Sequence, residues 1–212
     1  MKKIFILIAA ITLMASNISA QDNDSSEKLH LGLKIGVNVS NVYDTQGQQF
    51  TADAKAGLAA GAFLSIPIGK YLGVQPEILF SQKGYQTSNS ILGFGYKYTH
   101  TANFIDVPLL FAFKPIPLIT ILAGPEYSFL ISETNAFTNT IFSDPLIQKS
   151  DFDNSNVRKN TLGFVFGGDV NLGNIVIGAR AGWDILNNNG DGTQTTPRYK
   201  NVYYQGTIGF RL

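Results

Sequence analysis

The chain has 212 residues, with no cysteine, 15% charged residues, 12% aromatics and 21 glycines. The lack of cysteine excludes disulfides and thiolate metal sites, and 16 basic against 15 acidic side chains give no field suited to nucleic acid or a polybasic membrane contact. Charge this far below the usual quarter, with frequent Gly and aromatics and no long apolar helix, points to a β-rich chain in unusual surroundings.

Residues 1–20 read as a secretory signal peptide: Lys2 and Lys3 form a positive start, Ile4 to Met14 an apolar run too short to span a bilayer, and Ala20 a small residue before Gln21. No Cys follows, which argues against a lipid anchor. Without Lys2 and Lys3 the remaining chain carries 14 bases against 15 acids. Residues 21–28 read as a short polar periplasmic lead, and 29–212 as one domain.

The first predicted strand runs from Leu29 to Val39, with Leu29, Leu31, Leu33, Ile35, Val37 and Val39 on one face and His30, Gly32, Lys34, Gly36 and Asn38 on the other. After a polar connection, Ser40 to Ala54, the second strand (Ala56 to Ile66) repeats the pattern with Leu58, Leu64 and Ile66. A tight turn, Pro67 to Tyr71, leads to the third strand, Leu72 to Lys83. There Val74, Ile78 and Phe80 oppose Gln75, Glu77, Ser81 and Lys83, and Leu79 breaks the polar face. Gly84 to Thr101 reads as a Gly-rich loop together with the extended tip of the next strand.

Phe104 to Phe113 and Leu118 to Leu130 form the fourth and fifth strands around a turn at Lys114 to Pro117. Their apolar faces carry Ile105, Val107, Leu109, Phe111, Phe113 and then Ile119, Ile121, Tyr127, Phe129. The prolines at 108, 115 and 117 exclude a membrane-spanning helix here. The longest connection, Ile131 to Asn156, precedes the sixth strand, Leu162 to Leu172. Gly173 and Asn174 make a two-residue turn into the seventh, Ile175 to Ile185, and a loop at Asn187 to Pro197 leads to the eighth, Val202 to Leu212.

Short and long connections alternate strictly, so an up-and-down order gathers all short turns at one end. This is the pattern of an eight-stranded antiparallel transmembrane β-barrel of the outer membrane, with short periplasmic turns and long extracellular loops. The rival is a soluble eight-stranded barrel, apolar inside. The polar faces argue against it, being rich in Gly, Ala, Ser and Thr and lacking the dense Lys and Glu of a water-facing surface. Tyr71, Phe113, Tyr127, Phe129, Trp183, Tyr204 and Phe210 suit interfacial girdles, with Trp183 near the outer one.

The polar faces collect Lys34, Glu77, Lys83, Asp106, Glu126, Asp169, Arg180, Asp184 and Arg211. In a narrow lumen these read as a structural, mutually paired charge network, with Arg180 braced by Glu126 or Asp169 on neighbouring strands. Phe63, Leu79, Phe104 and Leu110 share that face and add to a plug.

The segments LGLKIGVNVSNV, LGVQPEILFSQKGY, NFIDVPLLFAFKP, ILAGPEYSFLI, GFVFGGDVNL and IGARAGWDILN, in this order, resemble the small outer-membrane barrels related to the secretion-associated protein PorT. The resemblance covers the whole mature chain. It implies the barrel fold and outer-membrane location, tolerance of Pro76, Pro108 and Pro125 at bulges, and a link to secretion or envelope assembly, and it supplies no catalytic residues.

Catalytic, cofactor and metal sites are not expected. His30 and His100 are the only histidines, and His100 with Ser88 or Ser90 matches no hydrolase motif. Asn187 to Thr193 lacks the ligand pattern of a calcium loop. The expected partners are outer-membrane lipid, the barrel assembly machinery, and a protein docking on the Ile131 to Asn156 loop through Phe137, Phe142 and Phe152. The leading function is a non-enzymatic envelope anchor or docking barrel; a narrow pore for small solutes and a lipid-modifying enzyme are the alternatives.

Overall fold

The computed structural model describes residues 29–44, 52–91, 94–139, 142–149, 158–188 and 199–212; the expected signal peptide and lead lie outside them. Among the described residues the chain forms nine strands, β1 (His30–Asp44), β2 (Asp53–Pro67), β3 (Leu72–Ile91), β4 (Phe94–Ile116), β5 (Ile119–Asn139), β6 (Phe142–Lys149), β7 (Asn160–Leu172), β8 (Ile175–Asp184) and β9 (Tyr199–Arg211), most of them on alternating apolar and polar residues. Eight of them close an antiparallel ring in the order β1-β2-β3-β4-β5-β7-β8-β9, with β9 returning to β1. Closure pairs every ring strand on both sides and removes the exposed edges that hydrocarbon could not solvate.

The ring is apolar outside and polar inside, the reverse of a soluble barrel. Leu31, Leu33, Ile35, Val37 and Val39 on β1 are 46–59% exposed, while Lys34, Asn38 and Ser40 between them are buried. The same holds around the ring, with Phe111, Phe166, Tyr204 and Ile208 each more than half exposed. Such a continuous apolar band would be an aggregation surface in water and is the lipid contact of a membrane barrel. All seven aromatics expected in the girdles face outward and are at least 38% exposed.

Short turns close one end. Ile68 and Gly69 N–H donate to Leu72 O at 2.9 and 3.2 Å, and Gly173, at φ 62°, takes the left-handed conformation that the two-residue β7–β8 turn needs. At the other end the strands run longer than their apolar alternation indicates. β3 continues to Ile91, β4 begins at Phe94 and β5 reaches Asn139, so the expected Gly84 to Thr101 loop is mostly paired strand. Most of the expected Ile131 to Asn156 connection is strand as well, because β5 runs on to Asn139 and β6 pairs with its Thr134–Asn139. These stretches are rich in Thr, Asn, Ser and Tyr. Polar residues fall on both faces there, so hydropathy does not alternate, while Thr and Tyr still favour cross-strand pairing.

The prolines do not sit at bulges. Pro76 pairs with Leu109, Pro108 with Glu126 and Pro125 with Phe164. The register shifts lie elsewhere, between Ala54 and Ala59, Asn103 and Phe104, Phe113 and Ile116, and Phe137 and Asn139.

Candidate functional site

Inward-facing residues from seven of the eight ring strands form two charge clusters in the lumen, and β2 adds the Phe63 ring, 5.2 Å from Lys34 Nζ. In the periplasmic half, Glu77 on β3 receives three donors. Lys34 Nζ lies 2.6 Å from its Oε2, and Arg180 on β8 reaches it with both guanidinium prongs, Nη1 to Oε2 at 2.7 Å and Nη2 to Oε1 at 2.9 Å. Gln75 Nε2 donates to Glu77 Oε1 at 2.9 Å, and Asp169 Oδ2 stands 3.6 Å from Arg180 Nη2. Two bases meet two acids, so the cluster is neutral, and the two-pronged geometry is the strongest form of such a pair. The expected brace is therefore corrected. Arg180 takes Glu77 from across the barrel as its main partner, Asp169 as a weaker one, and Glu126 not at all.

In the extracellular half, Lys83 is the hub. Its Nζ lies 2.9 Å from Asp106 Oδ2 and 3.1 Å from Glu126 Oε1, donates to Ser128 Oγ at 3.4 Å, and sits 4.4 Å from the Tyr203 ring centroid. Tyr203 donates its hydroxyl to Glu126 Oε2 at 2.7 Å. Asp184 is nearby but accepts from Asn201 instead, from Nδ2 at 2.6 Å and N at 3.2 Å. Amides join the walls: Asn38 Nδ2 donates to Ser81 Oγ at 2.8 Å, and Gln205 Nε2 to Asn38 Oδ1 at 2.9 Å.

Bulk completes the filling. Phe63, Leu79, Phe104, Leu110 and Leu122 are at most 4% exposed on the inward face, and Leu110, Ala112, Leu122, Val165 and Tyr203 form one apolar cluster. Glycine makes room for it. The Tyr203 ring lies over Gly182, and the Arg180 side chain over Gly167, at positions where a Cβ would collide. Arg211 stands apart from both clusters. It is only half-buried at the periplasmic rim, and its Nη2 donates to Gly173 O at 2.6 Å.

The outer limit of the lipid belt is drawn by an outward-facing polar rung. Gln82 Nε2 donates to Asn103 Oδ1 at 3.0 Å, and Asn103 Nδ2 to Ser132 Oγ at 2.8 Å. Just before it, β5 carries one extra residue, Ile131, because Asn103 pairs with Ser132 and Phe104 with Leu130. This bulge reverses the alternation, so that Leu130 and Glu133 both point inward. Glu133 thereby meets His100 of β4, Oε1 to Nε2 at 3.9 Å, and burial raises its carboxyl above the usual range. His100 Nδ1 is 2.7 Å from Asn135 Oδ1, and its ring stacks on Tyr85 at 5.1 Å. Ser88 lies across from Lys97, three rungs beyond the Tyr85–His100 pair.

Beyond the rung, β3, β4, β5 and β6 continue as a four-stranded extracellular sheet. Ser132 to Asn139 alone projects roughly 25 Å along the strand at ~3.3 Å per residue. Of the expected partner contacts, Phe137 is 40% exposed and stacks on Tyr96 at 6.0 Å. Phe142 belongs to β6, and Phe152 lies outside the described residues, as does most of the Asn187 to Thr193 stretch. The bulge and the His100–Glu133 contact were missed from sequence; the one legible sign was Glu133 falling out of phase with Glu126 and Ser128.

No curated protein matches the chain in sequence. Among solved structures it is similar to the attachment invasion locus protein Ail of Yersinia pestis (14% identity, 86% of this chain and 98% of that one, TM-score 0.47). It is also similar to Neisserial surface protein A (10%, 88% and 100%, TM-score 0.45) and to OprG of Pseudomonas aeruginosa (11%, 88% and 97%, TM-score 0.39). The assignment rests on the family match, which spans residues 19–189, together with the closed ring of eight antiparallel strands. The chain belongs to the family described as outer membrane protein beta-barrel domain and is a β-barrel protein of the outer membrane.

Proposed function

We propose that this barrel has a closed lumen, catalyses no reaction, and acts as an envelope docking protein through its extracellular sheet. The observation that carries this reading is the sheet itself. A pore needs no such projection, whereas a four-stranded platform held on a rigid barrel offers exposed side chains such as Phe137 to a partner. Filling of the lumen by the Glu77 and Lys83 clusters supports the closed state, since eight strands leave a bore that side chains can occupy fully. The resemblance to PorT-related barrels supports a place in secretion or envelope assembly. Outer-membrane lipid around the belt and the assembly machinery during insertion are the other partners.

The test is photo-cross-linking in intact cells. A photoreactive residue at Phe137 is expected to give a discrete protein adduct that the same residue at Lys70, in the periplasmic β2–β3 turn, does not give. Equal labelling at both positions, or none at Phe137, overturns the docking reading.

A further inference from the structure

At the periplasmic end a cleft of about 460 Å³ opens between the chain's first and last strands and two of the short turns, a size in the range of small-ligand sites, ~300–1,000 Å³. Arg211 and His30 supply its charged and polar wall, Asn171 an amide, and Pro117, Leu118 and Leu212 its apolar wall. Arg211 is placed firmly, its backbone N–H donating to Asn174 O at 2.7 Å. Among the described residues its guanidinium has a single acceptor, Gly173 O, and no carboxylate within 4.0 Å. The acid in its field, Asp169, is already engaged by Arg180 at 3.6 Å and by Gln75 at 3.5 Å. Lys114, on the inward face of β4, is turned to Ser65 instead, its Nζ donating to Oγ at 3.3 Å. The periplasmic mouth therefore presents the Arg211 guanidinium to a concave, half-apolar space, while Oδ2 of Asp169 is turned to Arg180 and Gln75 of the lumen network.

A guanidinium with unused N–H donors in such a cleft is matched by a planar or tetrahedral oxyanion, and phosphate takes two of its donors at once. The apolar wall adds a place for a short carbon chain attached to that anion. We infer that this cleft is a binding site for a phosphate group, gripped by Arg211 with His30 on the same wall. The same chemistry is offered by the headgroup of a phospholipid in the periplasmic leaflet and by free phosphate. This site needs only the barrel and does not depend on the docking reading.

The test uses the full chain folded in neutral detergent, with amide NMR shifts followed during titration by inorganic phosphate, by dihexanoyl-phosphatidylglycerol, and by neutral dihexanoylglycerol. Saturable shifts confined to the neighbourhood of His30, Asn171, Gly173 and Arg211 are expected with a phosphate-bearing probe. Saturation by the phospholipid alone assigns the lipid headgroup; saturation by inorganic phosphate as well shows that the anion suffices. Arg211→Gln and, on the exposed turn, Leu118→Glu are each expected to weaken binding at least tenfold, with heat-modifiable gel mobility showing that both remain folded. No saturation with either phosphate probe, equal shifts with dihexanoylglycerol, or unchanged affinity in both folded variants overturns the inference.

Discussion

Arg180 of β8 and Glu77 of β3 lie 103 residues apart and meet across the lumen in a two-pronged ion pair at 2.7 and 2.9 Å. Both side chains are almost fully buried, so each is tolerable only because the other is present. Arg180→Met or Glu77→Met alone leaves an uncompensated buried charge and is expected to destabilise the barrel by about 3–5 kcal/mol. The double variant leaves Lys34 facing Asp169 and is expected to cost clearly less than the sum of the two. Urea unfolding in lipid vesicles, read as a double-mutant cycle, measures the difference.

Gly167 is the floor on which Arg180 lies, since a Cβ there would collide with the Arg180 side chain and with the backbone of β8. Gly167→Val is expected to push Arg180 away from Glu77 and to destabilise by about 1–3 kcal/mol through overpacking. In combination with Arg180→Met the penalty of the valine is expected to shrink, which the same unfolding assay reads out.

Ile35 sits midway along the outward face of β1 and is 59% exposed. Ile35→Arg is expected to cost ~2–4 kcal/mol, as for a cation placed near the bilayer midplane. Ser88→Arg, beyond the polar rung, is expected to stay within about 0.5 kcal/mol of the unmodified chain. Equal effects at the two positions, measured by vesicle unfolding, would contradict the position of the lipid belt.

Ile131 sets the phase of the extracellular part of β5. Deleting it removes the bulge, and simple alternation from Leu130 then leaves Ser132 outward and Glu133 inward, so the contact with His100 is expected to be kept. The barrel is expected to remain folded by heat-modifiable mobility. Amide exchange over Ser132–Asn139 is expected to change by less than roughly tenfold, equivalent to about 1.4 kcal/mol of local stability; a larger acceleration would contradict the assignment of Ile131 as the extra residue.

The ring was legible because lipid on one side and a polar lumen on the other impose a period of two, and Leu31 to Val39 or Ile175 to Asp184 carry it without a break. Where polar residues fall on both faces the signal vanishes. Thr87, Thr99 and Thr134 lie in strands that hydropathy reads as loop, and β6 went unseen for the same reason. The inward position of Arg180 was legible too, but its partner was not. Adjacent-strand reasoning selects Glu126 or Asp169, whereas closure of the ring brings β3 opposite β8 and places Glu77 within reach. The prolines misled in the other direction, since Pro76, Pro108 and Pro125 occupy regular rungs without a bulge.

The closed lumen is tested most directly by purified protein in planar bilayers. Lys83, Glu77, Leu110 and Leu122 standing in the bore predict no steady unitary conductance from the unmodified barrel, and the appearance of openings when Arg180 and Glu77 are both replaced by Ala. A stable unitary conductance in the unmodified protein, abolished by replacing Arg180, would contradict the filled lumen and return the protein to the class of narrow pores.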